Sequence, residues 1–160
     1  MADDQALLRA VERFAQPMEV SGMPRMAARV FAYVLAEDSD RYTASDLAQG
    51  LRVSPAAVSG AVRYLVNARL LFREREPGMR SDLYRVYDDD VWSAIMGAQT
   101  AVFDQYLRGV DEALELIGTD GPGGRRLLET REFFAFMQRE TEEMMQRWRD
   151  LRPRITSSRS

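Results

Sequence analysis

A chain of 160 residues with 46% apolar side chains can bury one compact core, or one core with helical extensions. It contains neither cysteine nor histidine, which excludes disulfides, thiolate or imidazole metal sites and every Ser–His–Asp or Cys–His nucleophile; carboxylate chemistry for magnesium or calcium stays formally open. The net charge of −3 conceals a division, because residues 41–87 hold eight arginines against four acids (+4) while the rest holds 14 arginines against 21 acids (−7), a pattern that suggests a local polyanion site.

The opening residues MADDQALLRAV have neither the basic nor the apolar region of a secretory signal, and no apolar run approaches the ~20 residues that span a bilayer, so a cytoplasmic location is expected. Leu7, Val11, Phe14 and Met18 recur at helical spacing and predict a first helix over residues 3–18. A second is predicted over residues 21–37, capped by Ser21 or Gly22, with Pro24 in its first turn and Met26, Val30, Tyr33 and Val34 facing inward. Thr43, with Asp46 three residues on, opens a short third helix to Gly50. Ser54 followed by Pro55 opens a fourth, ending near Ala68.

The period then changes. Residues 70–75 and 82–87 read as two strands around the turn Glu76–Ser81, giving one β-hairpin in a helical chain. Asp88, Asp89 and Asp90 are read as the cap of a long fifth helix to Ile117, with Trp92, Ile95, Gln99, Val102, Tyr106, Val110, Ala113 and Ile117 as its inner stripe. Residues 118–124 read as a loop, residues 125–151 as a sixth helix, and the polar tail after Pro153 as frayed. The expected fold is mainly α with a small β-wing. It has an N-terminal dimerisation helix (1–20), a winged helix-turn-helix (21–87), C-terminal dimerisation helices (88–152) and a flexible tail (153–160).

Function is carried by TASDLAQGLRVSPAAVSGAVRYLVNARLL, residues 43–71, in which two capped helices flank a tight turn. Leu47, Leu51, Val53, Val58, Val62 and Leu65 supply the core, and Ala48 allows the two helices to cross closely. The second helix then exposes Ala56, Ala57, Ser59, Gly60, Arg63 and Tyr64. Small residues near Ser54 permit deep entry into a major groove, Ala57 suits a thymine methyl, Ser59 a base or phosphate, and Arg63 a guanine or phosphate. The hairpin adds Arg73, Arg75, Arg80 and Arg85, with Arg80 at the tip where arginine suits a narrow minor groove. With Thr43 at the opening of the preceding helix, Thr43, Ser54, Ala56, Ala57, Ser59, Gly60, Arg63, Tyr64, Arg73, Arg75 and Arg80 are the DNA-binding candidates.

On GMPRMAARVFAYVL (residues 22–35), the helix-turn-helix and the wing EPGMRSDLYRV (76–86), the chain resembles the MarR superfamily of regulators, most nearly its GbsR-like branch. The resemblance implies a dimeric winged-helix repressor or activator, often controlled by a small ligand near the dimer interface. One departure is Arg52, which stands where such turns often carry glycine; a left-handed arginine there costs about 1 kcal/mol.

In the last helix Phe134, Met137, Thr141, Met144, Trp148 and Leu151 follow a heptad spacing. Intramolecular core is one reading. A dimer seam shared with Leu7, Val11 and Phe14 is preferred, since Phe133, Phe136 and Met145 add apolar surface beyond one face. Met18, Met26, Trp92, Met96 and Phe103 are candidates for an effector pocket, against the ordinary reading of such residues as core; aromatic side chains suit a quaternary ammonium, although the sequence selects no ligand. No catalytic residue, metal site or cofactor is expected. The rival to a DNA-binding homodimer is a winged-helix module that binds protein.

Overall fold

The segment Arg25–Ala36 is apolar on nearly every side, as a helix packed on several faces must be. In the computed structural model it is the hub of the first of two compact units, residues 1–91 and 92–160. The structure describes residues 4–78, 80–86 and 90–157, without the side chains of residues 98, 99, 156 and 157. In chain order the elements are α1 (Asp4–Val20), α2 (Arg25–Ala36), β1 (Tyr42–Thr43), α3 (Ala44–Leu51), α4 (Pro55–Asn67), β2 (Phe72–Glu74), β3 (Leu83–Arg85), α5 (Val91–Ile117) and α6 (Pro122–Ser157). The expected mainly helical chain with a small β-wing is what is observed, and no helix among the described residues is long and apolar enough to cross a membrane.

In the first unit α1 packs on α2 through Val11 and Ala15, while α3 and α4 close on α2 through Leu47, Leu51, Val58, Val62 and Leu65, all buried. The wing is a three-stranded antiparallel sheet in the order β1-β3-β2, with Tyr42 opposite Tyr84 and Arg73 opposite Tyr84 on its other side. Strand β1 was not expected. It is two residues long, and Thr43 both pairs with Leu83 and caps α3.

The start of α2 is corrected. Ser21 and Gly22 do not cap it; they close α1, with Gly22 at φ +97° and the Met23 N–H donating to the Met18 carbonyl at 3.0 Å. This is the glycine-closed helix end, which releases α2 to begin after Pro24.

In the second unit α5 and α6 run antiparallel, tied by Arg131 to Asp111 (2.6 Å), Gln138 to Asp104 (2.7 Å) and a stacked Tyr106–Phe134 pair with centroids 4.5 Å apart. Helix α6 begins at Pro122, earlier than expected, because proline at the first helical position has the right φ and no N–H to leave unpaired. It also continues through Pro153 to Ser157 rather than fraying. A proline in an exposed helix removes one hydrogen bond without removing its neighbours. Of the stripe expected to face inward on α5, Ile95 and Val110 are buried, whereas Trp92, Val102, Tyr106 and Ile117 are exposed. The capping role expected of Asp88 and Asp89 lies outside the described residues.

Candidate nucleic-acid interface

The helix-turn-helix is assembled by local chemistry at its ends. The Asp46 N–H donates to Thr43 Oγ1 at 3.1 Å and the Thr43 N–H donates to Asp46 Oδ2 at 2.7 Å, a reciprocal cap that satisfies two otherwise unpaired donors. Thr43, a DNA-binding candidate, therefore has its hydroxyl committed to α3, where it also donates to Asp46 Oδ2 at 2.7 Å. Ser54 Oγ accepts from the Ala57 N–H at 3.3 Å and Pro55 follows it, as the sequence predicts.

The turn between the two helices is set by Arg52, which adopts φ 56° and ψ 46°. The Val53 N–H then reaches the Ala48 carbonyl at 3.0 Å and closes α3. The same device ends α4: Arg69 stands at φ 57° and the Leu70 N–H donates to the Leu65 carbonyl at 2.9 Å. Two arginines thus occupy positions where glycine is usual, each at a cost of about 1 kcal/mol. Arg69 was missed in the sequence because nothing in Asn67–Ala68–Arg69 marks a left-handed residue. Gly50, by contrast, is required by contact, since a side chain there would overlap the Tyr33 hydroxyl and fall 2.5 Å from its Cζ. That close approach seats α3 on α2.

Helix α4 buries Val58, Ala61, Val62 and Leu65 and turns Ser54, Ala56, Ser59, Gly60, Arg63 and Tyr64 outward, with Ala57 half-buried. The outer face over its first two turns is therefore small and lightly polar before Arg63 is reached. On the wing, alternation places Arg73, Arg75, Asp82 and Tyr84 on one face of the β2–β3 hairpin and Phe72, Glu74, Leu83 and Arg85 on the other. Three wing arginines have acidic partners: Arg75 Nε lies 2.9 Å and Arg73 Nη1 3.8 Å from Asp82, and Arg85 Nε lies 2.6 Å from Glu74. Arg41 pairs with Glu76 at 2.6 Å. Of the arginines on the helix-turn-helix and wing, Arg52, Arg63, Arg69 and Arg80 form no ion pair among the described residues, so the unpaired cations of this segment lie on the turn, α4, its C-terminal end and the wing tip.

Between α4 and the wing lies an open groove of about 320 Å³, bordered by Ser59, Arg63, Asn67, Arg73, Asp82 and Tyr84. Burial, and secondarily the charge of Asp82, raise the Tyr84 hydroxyl above its ordinary pKa against the opposing pull of Arg73, so it remains a neutral donor. Opposite Tyr84 in the sheet, the buried Tyr42 hydroxyl donates to Glu37 at 2.6 Å; burial and that bond push Tyr42 up, and the bond holds Glu37 below the usual carboxylate range. The pair ties β1 to the end of α2, and neither residue lines the groove.

The other candidate sets fare differently. Val11, expected at a dimer seam, is fully buried within the first unit and has no surface to offer a partner. Leu7 is half-buried and Phe14 exposed. Phe134 stacks on Tyr106 within its unit, and Met137 and Trp148 are half-buried, while Phe133, Phe136, Met144 and Leu151 are exposed. Of the effector candidates, Met18 and Met26 are half-buried in the first unit; in the second, Met96 and Phe103 are half-buried and Trp92 is 48% exposed. No group of three acids among the described residues is placed to hold a metal ion.

Comparison with known proteins matches residues 21–80 to the MarR family and residues 90–151 to the MmpR5-like MarR family transcriptional regulators. Each of these two segments is thus similar to a MarR-family model. A solved structure described as a transcriptional regulator superposes with a TM-score of 0.75 at 23% identity, covering 90% of this chain and 98% of that one, and so shares the fold. Two Bacillus subtilis (strain 168) proteins are each 30% identical: one named as an HTH-type transcriptional regulator, YvaV, over 86 residues, and the HTH-type transcriptional repressor OpcR over 79. The aligned segments amount to 54% and 49% of this chain but to 48% and 42% of these relatives, so the chain spans under half the length of either.

Proposed function

We propose that this chain is a sequence-specific DNA-binding repressor of the GbsR-like kind, acting in the cytoplasm as a homodimer by binding rather than by catalysis. The observation that carries this reading is the outer face of α4. Small residues from Ser54 to Gly60 lead to an unpaired Arg63, and Arg52, Arg69 and Arg80 on the flanking turn, helix end and wing are likewise unpaired among the described residues. A helix so bare at its N-terminal end can lie deep in a major groove, and cations on either side of it meet the phosphates that border that groove. The relative named as a repressor supports the direction of control.

The dimer reading rests on the exposed apolar side chains of the second unit, Phe133, Phe136, Met144 and Leu151 among them, which fall along one side of α6. A two-fold dimer presents two copies of α4 about one DNA turn apart, so the operator is an inverted repeat with half-sites ~10 base pairs apart. A small apolar or cationic effector acting through Trp92, Met96 and Phe103 of the second unit completes the proposal. Footprinting on the DNA upstream of the protein's own gene tests it. Protection of two symmetric half-sites supports it, and the absence of any protected site at micromolar protein overturns it.

A further inference from the structure

The groove between α4 and the wing contains a carboxylate where a DNA-binding surface would be expected to carry cations alone. Asp82 lies where the turn of the hairpin enters β3, on the face directed at α4, and receives both Arg75 at 2.9 Å and Arg73 at 3.8 Å. The exposures of the three side chains differ in a telling order: 23% for Asp82, 56% for Arg73 and 81% for Arg75. The anion is the most sheltered of the three, and the two cations are the more exposed. Around the same space stand the Ser59 hydroxyl, the Arg63 guanidinium, the Asn67 amide and the neutral Tyr84 hydroxyl, all able to donate a hydrogen bond.

A groove lined by donors, with a carboxylate that already draws two guanidinium groups, has the chemistry that receives a phosphate diester: one negative charge spread over two oxygens. We propose that this groove is a seat for one backbone phosphate of DNA and that Asp82 is its internal surrogate, holding Arg73 and Arg75 in place in the free protein. The proposal rests on the DNA-binding reading above. Exposed ion pairs of this kind are weak and screened by salt, so a phosphate entering beside α4 can draw the two arginines away. Asp82 then remains as an uncompensated anion near the bound phosphate. It acts as a brake on phosphate affinity, and the other cations of the surface must supply what it subtracts.

The test uses the full chain, its Asp82→Asn and Arg73→Ala variants, and fluorescence anisotropy on a labelled duplex of random sequence between ~50 and ~200 mM NaCl. Asp82→Asn keeps the side-chain shape and one acceptor oxygen while removing the charge. It is expected to bind the random duplex about tenfold tighter, with a log–log salt slope steeper by about one phosphate contact, ~0.9. Arg73→Ala is expected to bind about tenfold more weakly than the native chain. It also gives a separate reading if Asp82→Asn melts early by circular dichroism. A folded Asp82→Asn that binds no tighter overturns the proposal, as does Arg73→Ala with native affinity. Inorganic phosphate at matched ionic strength should leave the isotherms unchanged; selective competition by it would make the seat one for a free anion and overturn the assignment to DNA. If no variant binds DNA, the DNA-binding reading falls together with the seat, whereas native binding with both variants unchanged removes the seat alone.

Discussion

Ala57→Glu separates folding from DNA binding because the structure gives it opposite signs in the two. Ala57 is the third residue of α4, and its N–H already donates to Ser54 Oγ at 3.3 Å. A glutamate there can reach back to the Ser54 N–H, reproducing the reciprocal cap that Asp46 makes with Thr43. A carboxylate in the first turn also meets the positive end of the helix dipole, so the variant should gain about 0.3–1 kcal/mol of stability. Against DNA the sign reverses. One added negative charge about 6 Å from a phosphate costs roughly 3 kcal/mol at an effective dielectric constant of ~20, or about a hundredfold in affinity. Thermal melting followed by circular dichroism reads the first effect and anisotropy on an operator duplex the second. If Ala57→Glu melts at or above the native temperature and still binds with native affinity, α4 does not enter the groove and the interface must be sought elsewhere.

Two further predictions follow from the packing. Replacing the exposed Phe136 and Leu151 together by glutamate should leave the helical content intact and convert a dimer to a monomer in sedimentation at micromolar concentration. A native chain that sediments as a monomer would end the dimer reading. Tyr42→Phe should destabilise the fold by about 1 kcal/mol at neutral pH, because Glu37 loses the hydroxyl that favours its ionised form. The sign with pH is fixed by the lowered pKa of Glu37: the contribution is complete above its ordinary 4.5 and is lost as pH falls through the lower, folded value, so the gap between native and variant melting should narrow there. A gap that is constant from pH 3 to 7 would refute it.

The parts of the fold legible in the sequence are those governed by chemistry within a few residues. Thr43 with Asp46 and Ser54 with Pro55 are local devices, and the helices that they open begin as read. The left-handed Arg52 was legible for the same reason, because a three-residue turn leaves few other ways to reverse the chain. What was not legible depends on partners far along the chain. Strand β1 exists because Tyr42 and Thr43 meet Tyr84 and Leu83, some forty residues away, and two residues carry no period of their own. Ser21 and Gly22 fit either the end of α1 or the start of α2, and the hydrogen bonds back to Pro17, Met18 and Glu19 decide for the former. In the candidate interface, the count of arginines predicted a basic wing, but which of them are neutralised follows from the β2–β3 register and from the placing of Glu76 beside Arg41. Val11 has the spacing of an interface residue and the burial of a core one, a distinction that periodicity does not make.

If unpaired arginines on α4 and its flanks meet DNA phosphates, salt reads this most directly. Binding of the native chain to a duplex from its own upstream region should be followed by anisotropy from ~50 to ~200 mM NaCl. Four contacts from Arg52, Arg63, Arg69 and Arg80 at ~0.9 each predict a log–log slope of about −3.6 per protomer, to which a phosphate seated at Arg73 adds, made shallower by one contact in Arg80→Ala. A slope near zero, with Arg80→Ala indistinguishable from the native chain, would contradict the account.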